Sequence, residues 1–237
     1  HVYRFPEVQT VYDNGFNGAT VTTSDFRRLF GPRYAQGTVL YNNIENFFQD
    51  GFAQKHNLSM EGGSGKTAIR GSLTYRDEKG VVPNTGLNIV SSRLTVNNKP
   101  IAKLDLTASI AYTYSKNDKA FRGLGGFLQN LMLWPYDDDA RNYLDATGKR
   151  RKLLANTIAE LDNPFFDANK NKSYDQTHRG NFNLSAAYDI TKWWSIVARA
   201  GTDFYSQYGN YFLHPESNSA FSVGGQVEDY TEKYVSY

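Results

Sequence analysis

The stretch between residues 121 and 139 contains the side chains best suited to contact a ligand. An aromatic face can stack on a sugar ring, and a carboxylate can accept hydrogen bonds from sugar hydroxyls or fix the ends of a peptide. The aromatic and acidic residues of this stretch are Phe121, Phe127, Trp134, Tyr136, Asp137, Asp138 and Asp139. Within this group the candidates for ligand contact are Trp134, Tyr136, Asp137, Asp138 and Asp139.

The same stretch also fits a structural role. Leu128, Leu131 and Met132 have the spacing of one helical face. They therefore predict a short helix over residues 127–133 that packs under the loops and stops at Pro135, because proline cannot continue a helix. We favour this structural interpretation, in which the stretch serves packing.

A second stretch resembles a cation site. DANKNKSYD, residues 167–175, places oxygen-bearing side chains at alternate positions, as a calcium loop does. The pattern then departs from that loop, since Lys172 stands where glycine is required and His178 stands where a bidentate glutamate belongs. We therefore favour a solvated extracellular turn and predict no metal and no cofactor, with Ca²⁺ in the extracellular loops as the alternative.

No combination of residues points to catalysis. The sequence has no cysteine, and its four histidines lack the paired spacing of a metal site. The glycine-rich stretch GGSGK, residues 62–66, lacks the spacing of a phosphate-binding loop and joins two predicted strands. The net charge of +2 argues against nucleic acid, which favours a clustered basic excess. We predict neither an enzyme nor a nucleic-acid partner.

Alternation of apolar and polar residues predicts the strands that must position these residues. The pattern is clear in six segments and weaker in a seventh: 54–61, 66–77, 87–98, 101–116, 177–190, 192–208 and 225–237. The connections alternate between short turns at 62–65, 98–100 and 189–191 and longer loops at 78–86, 117–176 and 209–224. Short turns on one rim and long loops on the other are typical of outer-membrane β-barrels.

Each long strand has one apolar and one polar face. Aromatic residues of the apolar faces concentrate near the strand ends, as in the girdles at membrane interfaces, although aromatic residues also favour strands in general. The polar faces carry four arginines: Arg70, Arg76, Arg179 and Arg199. We expect them to face the lumen of a barrel and hold a plug domain, with a place along the substrate path as the alternative.

The apolar faces are expected to meet lipid. No run of eighteen apolar residues is present, so no transmembrane helix is predicted, and a mean hydropathy of -0.59 suits strands whose lipid-facing and lumen-facing residues alternate. A soluble carbohydrate-binding β-sandwich is an alternative in which the apolar faces meet each other. Six or seven strands are too few for the smallest barrel, which has eight, so we expect this chain to form part of a larger one.

Motifs around the first two long strands resemble a known family. NNIENFFQDGFAQKHNLSMEGGSGKTAIRGSLTYRDEKGVVPNTG, residues 42–86, is similar to the early barrel of SusC/RagA-type TonB-dependent outer-membrane transporters. The matching positions are Asn43, Phe47, Phe48, Gly51, Asn57, Ser59, Gly62, Gly63, Tyr75, Asp77, Gly80, Pro83, Asn84, Thr85 and Gly86. Upstream, RFPEVQTVYDNGFNG and FGPRYAQGT resemble the passage from plug to barrel, and LQNLMLWPYDDDARNYLDATGK resembles a large extracellular loop.

The resemblance implies an all-β fold, namely a transmembrane antiparallel segment of a plugged 22-stranded barrel. It implies a plug-to-barrel junction with the first barrel elements in residues 1–50, and barrel strands in residues 51–237 with a large loop at 117–176. The implied function is TonB-dependent active import of oligosaccharides or peptides across the outer membrane. The implied partners are a SusD-like lipoprotein lid, outer-membrane lipid, and a TonB complex that acts through an N-terminal part outside this chain. A passive porin or structural barrel is the alternative.

Overall fold

The computed structural model describes residues 11–16, 18–20, 30–121, 126–153, 162–217 and 224–237. The described elements begin with a small hairpin, β1 (Gly15–Phe16) and β2 (Ala19–Thr20), and helix α1 (Asn43–Phe47). Four long strands follow: β3 (Phe52–Ser64), β4 (Thr67–Lys79), β5 (Gly86–Ile101) and β6 (Leu104–Lys119). The large loop contains helices α2 (Phe127–Leu133) and α3 (Pro164–Lys170). The last strands are β7 (Lys172–Thr191), β8 (Trp194–Leu213) and β9 (Gln226–Ser236).

The seven long strands form one antiparallel sheet in which each strand pairs with the next along the chain, from β3 to β9. All seven predicted strands are therefore confirmed, and so is the all-β fold class. The strands are 11 to 20 residues long, and most extend beyond the predicted bounds. The first and last strands of the sheet each pair on one side only within the described residues.

Two of the predicted short turns were misplaced by a few residues. The β5–β6 turn lies at residues 102–103 instead of 98–100, and the β7–β8 turn lies at residues 192–193 instead of 189–191. In both hairpins the pairing shifts register just before the turn, between Asn98 and Ile101 and between Asp189 and Thr191. Such an irregularity inserts unpaired residues into the ladder, and one of them here is Pro100, which has no N–H to donate.

The register aligns the apolar faces of neighbouring strands into one continuous surface. Leu94 pairs with Ile110, which pairs with Phe182. The exposed apolar residues of this surface include Leu58, Met60, Ile69, Leu73, Tyr75, Leu94, Ile110, Tyr112, Phe182, Leu184, Tyr188, Trp194, Ile196, Phe204 and Tyr208. Within the described residues no second sheet covers it, so the sandwich alternative finds no support in this fold.

Most of the buried side chains lie in the long connections between the strands and not on the sheet. We call this region the loop cap and define it as residues 41–50, 126–153, 162–171 and 213–217. Its buried apolar side chains are Phe47, Leu131, Trp134, Tyr136, Ala140, Phe166 and Leu213.

Helix α2 spans residues 127–133 as predicted. The predicted burial of its apolar face is only partly right, because Leu131 is buried whereas 45% of Leu128 is exposed. No helix in the described part of the chain is long and apolar enough to cross a membrane.

Candidate functional site

The segment with the predicted ligand residues is held by side chains far away in sequence. Asn43, in α1, donates hydrogen bonds from Nδ2 to the carbonyl oxygens of Pro135 (3.2 Å) and Asp138 (2.9 Å). Its Oδ1 accepts a hydrogen bond from the backbone N–H of Ala140 at 3.0 Å. Because Asn43 is buried, these three bonds satisfy backbone groups that would otherwise lack partners. The backbone conformation of residues 135–140 thus depends on the side-chain amide of Asn43.

The N-terminal part of the chain adds further bonds to the same segment. The Asn14 side chain donates to the carbonyl oxygen of Leu133 at 3.1 Å, and the Tyr34 hydroxyl accepts from the backbone N–H of Tyr136 at 3.3 Å. Burial, together with the carboxylates of Asp13 and Asp137, raises the pKa of Tyr34 to about 12. The hydroxyl therefore keeps its proton at any physiological pH.

Trp134 and Tyr136 are part of the packed interior of the cap. Only 2% of Trp134 and 9% of Tyr136 is exposed. The indole N–H of Trp134 donates to Asp138 at 3.0 Å, and its ring packs beside Ala140. In this arrangement neither ring offers an open face to a ligand, which corrects the expectation of an aromatic stacking platform and favours the packing alternative. The physical reason is that the indole finds both an apolar contact and a hydrogen-bond partner inside the loop.

The three consecutive aspartates differ in their surroundings. Arg151 donates to Asp138 through both terminal nitrogens, at 3.0 and 2.6 Å. Arg141 binds Asp139 in the same two-pronged way, with both shortest bonds at 2.9 Å, and these hydrogen bonds lower the pKa of Asp139. Asp137 is exposed. Partial burial of its carboxyl and the neighbouring Asp13 carboxylate raise the pKa of Asp137. Ligand contact by Asp137 stays a prediction, whereas Asp138 and Asp139 are engaged within the loop.

Asp167, the first residue of the calcium-like stretch, is buried in helix α3. Its carboxylate accepts hydrogen bonds from Asn130 at 2.8 Å and from Asn171 at 2.9 Å. Burial and the nearby Asp162 carboxylate raise the pKa of Asp167 well above its ordinary value. The solvated turn expected at 167–175 was wrong, because this stretch is the end of α3 followed directly by β7. Among the described residues no group of three acidic or histidine side chains could hold a metal ion. The absence of a metal and a cofactor stays a prediction, with Ca²⁺ in the loops as its alternative.

A buried ion pair within the large loop is hydrogen-bonded to the segment that follows β8. Arg150 lies 3.1 Å from Asp162, and their side chains are 5% and 2% exposed. The Ser217 hydroxyl donates to Asp162 at 2.5 Å, and the backbone N–H of Arg150 donates to Glu216 at 2.8 Å. Asn171 closes the connection by donating to the Ser217 oxygen at 3.1 Å. The cap is therefore held together from three stretches of chain by polar contacts.

Most of this polar interior was not predicted from the sequence. The buried asparagines at positions 14, 43, 130, 163 and 171 show no periodicity that would single them out. Asn163 alone had a local signal, because an asparagine before a proline is typical of a helix start. It accepts from the backbone N–H groups of Phe165 and Phe166 and so caps α3.

Two cavities open where the cap meets the strands. One has a volume of about 830 Å³, and its apolar lining includes Phe52, Val82, Phe121, Phe127 and Leu128. The other has a volume of about 540 Å³ and a polar lining that includes Asn84, Lys116, Lys119, Lys172 and Gln176. Both volumes lie in the range of ligand sites in proteins. Lys116 pairs with Asp118 at 3.1 Å and Lys119 pairs with Asp175 at 2.8 Å. Lys172 and Gln176 are therefore the groups of this cavity that can donate hydrogen bonds to carboxylate, carbonyl or hydroxyl oxygens of a ligand.

The four predicted arginines share the polar face of the sheet, and all are exposed. Arg179 binds Asp203 through two nitrogens, at 3.2 and 2.5 Å, and Arg76 pairs with Glu78. The register places Arg93 on the same face, since it pairs with Ala111 and that residue with Asn181. Arg93 follows the same alternation in the sequence and could have been predicted. Contact of this face with a plug stays a prediction.

No protein-family model matches the sequence, and no curated protein does. Solved structures do match the fold. A chain of the RagAB peptide importer in the closed-closed state matches with a TM-score of 0.62 and 19% identity, over 83% of this chain and 22% of that chain. The importer in the open-open state matches with a TM-score of 0.64 and 18% identity, over 93% and 27%.

A further structure of the RagAB peptide transporter matches with a TM-score of 0.66 and 16% identity, over 85% of this chain and 24% of that chain. The chain thus spans about a quarter of the length of the chains that it matches. The likeness shows that the described strands have the fold of part of these RagAB chains. This chain has the antiparallel sheet of a β-barrel segment.

Proposed function

We propose that this chain forms part of the wall of an outer-membrane transporter that imports its substrate actively and depends on TonB. The observation that carries the proposal is the continuous exposed apolar face of a sheet whose fold matches transporter chains. A soluble monomer rarely exposes apolar patches larger than a few hundred Å². Lipid covers such a face without requiring a second protein layer, and the paired strands leave few backbone groups unsatisfied in the hydrocarbon.

The substrates that we propose are peptides or oligosaccharides. The similar structures are of a peptide importer, which supports testing peptides first. Lys172 and Gln176 in the polar cavity supply donors for carboxylate and carbonyl oxygens, and Asp137 supplies an exposed carboxylate at the cap. In this proposal the loop cap lies on the extracellular side under a SusD-like lipoprotein lid. The arginines of the polar face would hold the plug through which TonB acts.

Uptake of labelled substrate by whole cells tests this function. Cells that produce the protein should take up fluorescent peptides, or fluorescent oligosaccharides in a parallel assay, faster than cells from which its gene has been deleted. Collapsing the proton-motive force with a protonophore should abolish the difference, because TonB-driven import consumes that force. Uptake that persists with the protonophore would instead favour a passive porin. Release of the protein from membranes by buffer without detergent would refute the membrane placement.

A further inference from the structure

The three short turns of the sheet have an unusual charge composition. They comprise residues 64–67, 99–104 and 190–194, which together we call the turn rim. Their charged residues are Lys66, Lys99, Lys103 and Lys192, and they contain no acidic residue. The opposite end of the strands is mixed in charge, with Glu78, Asp118 and Asp175 beside Lys79 and Lys119. Positive charge is therefore in excess at this rim, where the nearest carboxylates, Asp105 and Asp189, each lie one residue outside the turns.

Hydrogen bonds join the three turns into one continuous structure. The backbone N–H of Lys99 donates to the carbonyl of Lys66, and the Lys66 ammonium donates to the carbonyl of Pro100, both at 2.7 Å. The backbone N–H of Asp189 donates to the carbonyl of Lys103 at 2.9 Å, and the Lys103 ammonium donates to the carbonyl of Ile190 at 3.2 Å. These contacts position the lysines relative to one another.

Three of the four lysines keep an uncompensated charge. Lys99 pairs with Asp105 at 2.9 Å. Within the described part of the chain, Lys66, Lys103 and Lys192 form no ion pair with a carboxylate. The rim therefore presents three positive charges, and Lys66 and Lys103, which each donate to a single carbonyl, keep further ammonium hydrogens for a ligand.

Two tryptophans lie within the same rim. Trp193 is 84% exposed and Trp194 is 52% exposed. With Lys103 and Lys192 they line a cavity of about 430 Å³, whose other lining residues are Asp189, Thr191 and Ser195. The exposed apolar face of the sheet begins at this point, where Tyr188 pairs with Ile196. An indole with one apolar edge and one N–H donor suits the boundary between hydrocarbon and headgroups.

We propose that the turn rim binds the phosphate of an anionic glycerophospholipid in this cavity, with Lys103 and Lys192 as the cationic donors and the two indoles against the glycerol region. Lys66, on the next turn but one, adds to the positive charge that attracts anionic headgroups to the rim. The inference rests on the membrane placement in the proposed function and adds the class of lipid headgroup. Charge complementarity supports it, because the only carboxylate in the cavity lining is Asp189. The acyl chains would continue along the apolar face that starts beside Trp194.

Quenching of tryptophan fluorescence by brominated lipids tests the proposal. In a Trp134→Phe background, the remaining tryptophans are those of the rim. The protein is placed in phosphatidylcholine vesicles that contain increasing fractions of dibrominated phosphatidylglycerol or dibrominated phosphatidylcholine. Each lysine near an anionic surface contributes roughly 1 kcal/mol, which corresponds to about a fivefold preference. We expect at least that preference for the brominated phosphatidylglycerol.

A variant with Lys66→Gln, Lys103→Gln and Lys192→Gln should lose the preference. The matched control, Lys55→Gln with Lys149→Gln and Lys152→Gln, removes three exposed lysines outside the rim and should retain it. Equal quenching by both brominated lipids would overturn the headgroup inference and leave the membrane placement standing. Quenching by neither lipid would overturn both. If Trp134→Phe prevents folding, lipid adducts of the unaltered protein in native mass spectrometry give the same comparison.

Discussion

The sheet and the loop cap differ in which side chains they bury and which they expose. The sheet exposes large apolar side chains along one face, such as Leu94 and Ile110, whereas the cap buries polar side chains such as Asn43 and Asp167. Strands satisfy their backbone groups in the ladder, so the side chains of a sheet are free to meet lipid. The irregular backbone of the cap has no ladder. Buried amides therefore supply the partners that its backbone requires.

The two regions therefore depend on different surroundings for their stability. The described residues leave the apolar face of the sheet uncovered, while the cap is held by contacts within the chain, such as the pair of Arg150 and Asp162. Substitutions should therefore act on the cap in any solvent and on the apolar face only in a membrane. For the cap, the fluorescence of Trp134 serves as the reporter once Trp193 and Trp194 are replaced by phenylalanine.

The largest effect is expected at the buried ion pair. Arg150→Met should destabilise the cap by about 3–5 kcal/mol, because it leaves the Asp162 carboxylate buried without its cation. The measurement is the free energy of cap unfolding in urea from Trp134 fluorescence. Arg141→Met removes an exposed arginine from the same loop and should leave the midpoint in place. If both variants unfold at the same urea concentration, burial is not what makes the pair important.

The next effect concerns the sheet and depends on lipid. Ile110→Lys should destabilise the protein in vesicles by about 2–4 kcal/mol, since it places a charge on the proposed lipid-facing surface near the middle of β6. Ser109→Lys is the matched control on the polar face, where Ser109 pairs with Thr95 and Asn183, and it should cost much less. Unfolding in urea from lipid vesicles compares the two. A harmless Ile110→Lys would mean that water, and not lipid, covers this face.

A smaller effect is expected from the amide that holds residues 135–140. Asn43→Ala removes three hydrogen bonds to the backbone. An unsatisfied buried group costs about 1–3 kcal/mol, and partial relaxation or water entry should keep the total near the upper end of that range. Asn46→Ala is the control, because Asn46 is an exposed residue of the same helix. Equal Trp134 unfolding curves for the two variants would contradict the role assigned to Asn43.

The smallest effect is expected in the stability of the cap as a function of pH, which depends on the protonation of Asp167. Burial and Asp162 raise the pKa of Asp167 in the folded state. The folded cap therefore holds this proton more tightly than the unfolded chain, so the stabilisation is complete below the ordinary carboxyl pKa. It is lost as pH rises towards the raised pKa. The urea midpoint of the cap should fall over that interval, and Asp167→Asn should flatten the slope. A midpoint that rises over the same interval would show that the sign is wrong.

Much of the sheet could be predicted because its information is local. Alternation identifies each strand and its two faces without knowledge of any partner. The turns after β5 and β7 were misplaced because the alternation cannot show where a ladder slips, as it does between Asn98 and Ile101. Helix α2 was also predictable from spacing. The exposure of Leu128 was not, because spacing defines a face but not what covers it.

The contacts of the cap could not be predicted because they join residues that are distant in sequence. Asn43 meets the backbone of Ala140 across 97 positions, and Asn171 meets Ser217 across 46. The sequence therefore left two roles open for Trp134, stacking on a ligand and packing inside the loop. Only the positions of Asp138 and Ala140 around the indole distinguish the two.

By itself, the amino-acid sequence determined the strands, their apolar and polar faces, the sorting of short and long connections, and the motifs that resemble a transporter wall. These follow from the two-residue period of a strand, which every stretch of chain expresses on its own. The tertiary structure alone decided which loop aromatics are buried, which aspartates are paired, and how the lysines of three separate turns meet on one rim. Such pairings depend on distances between remote residues, which a local pattern does not contain.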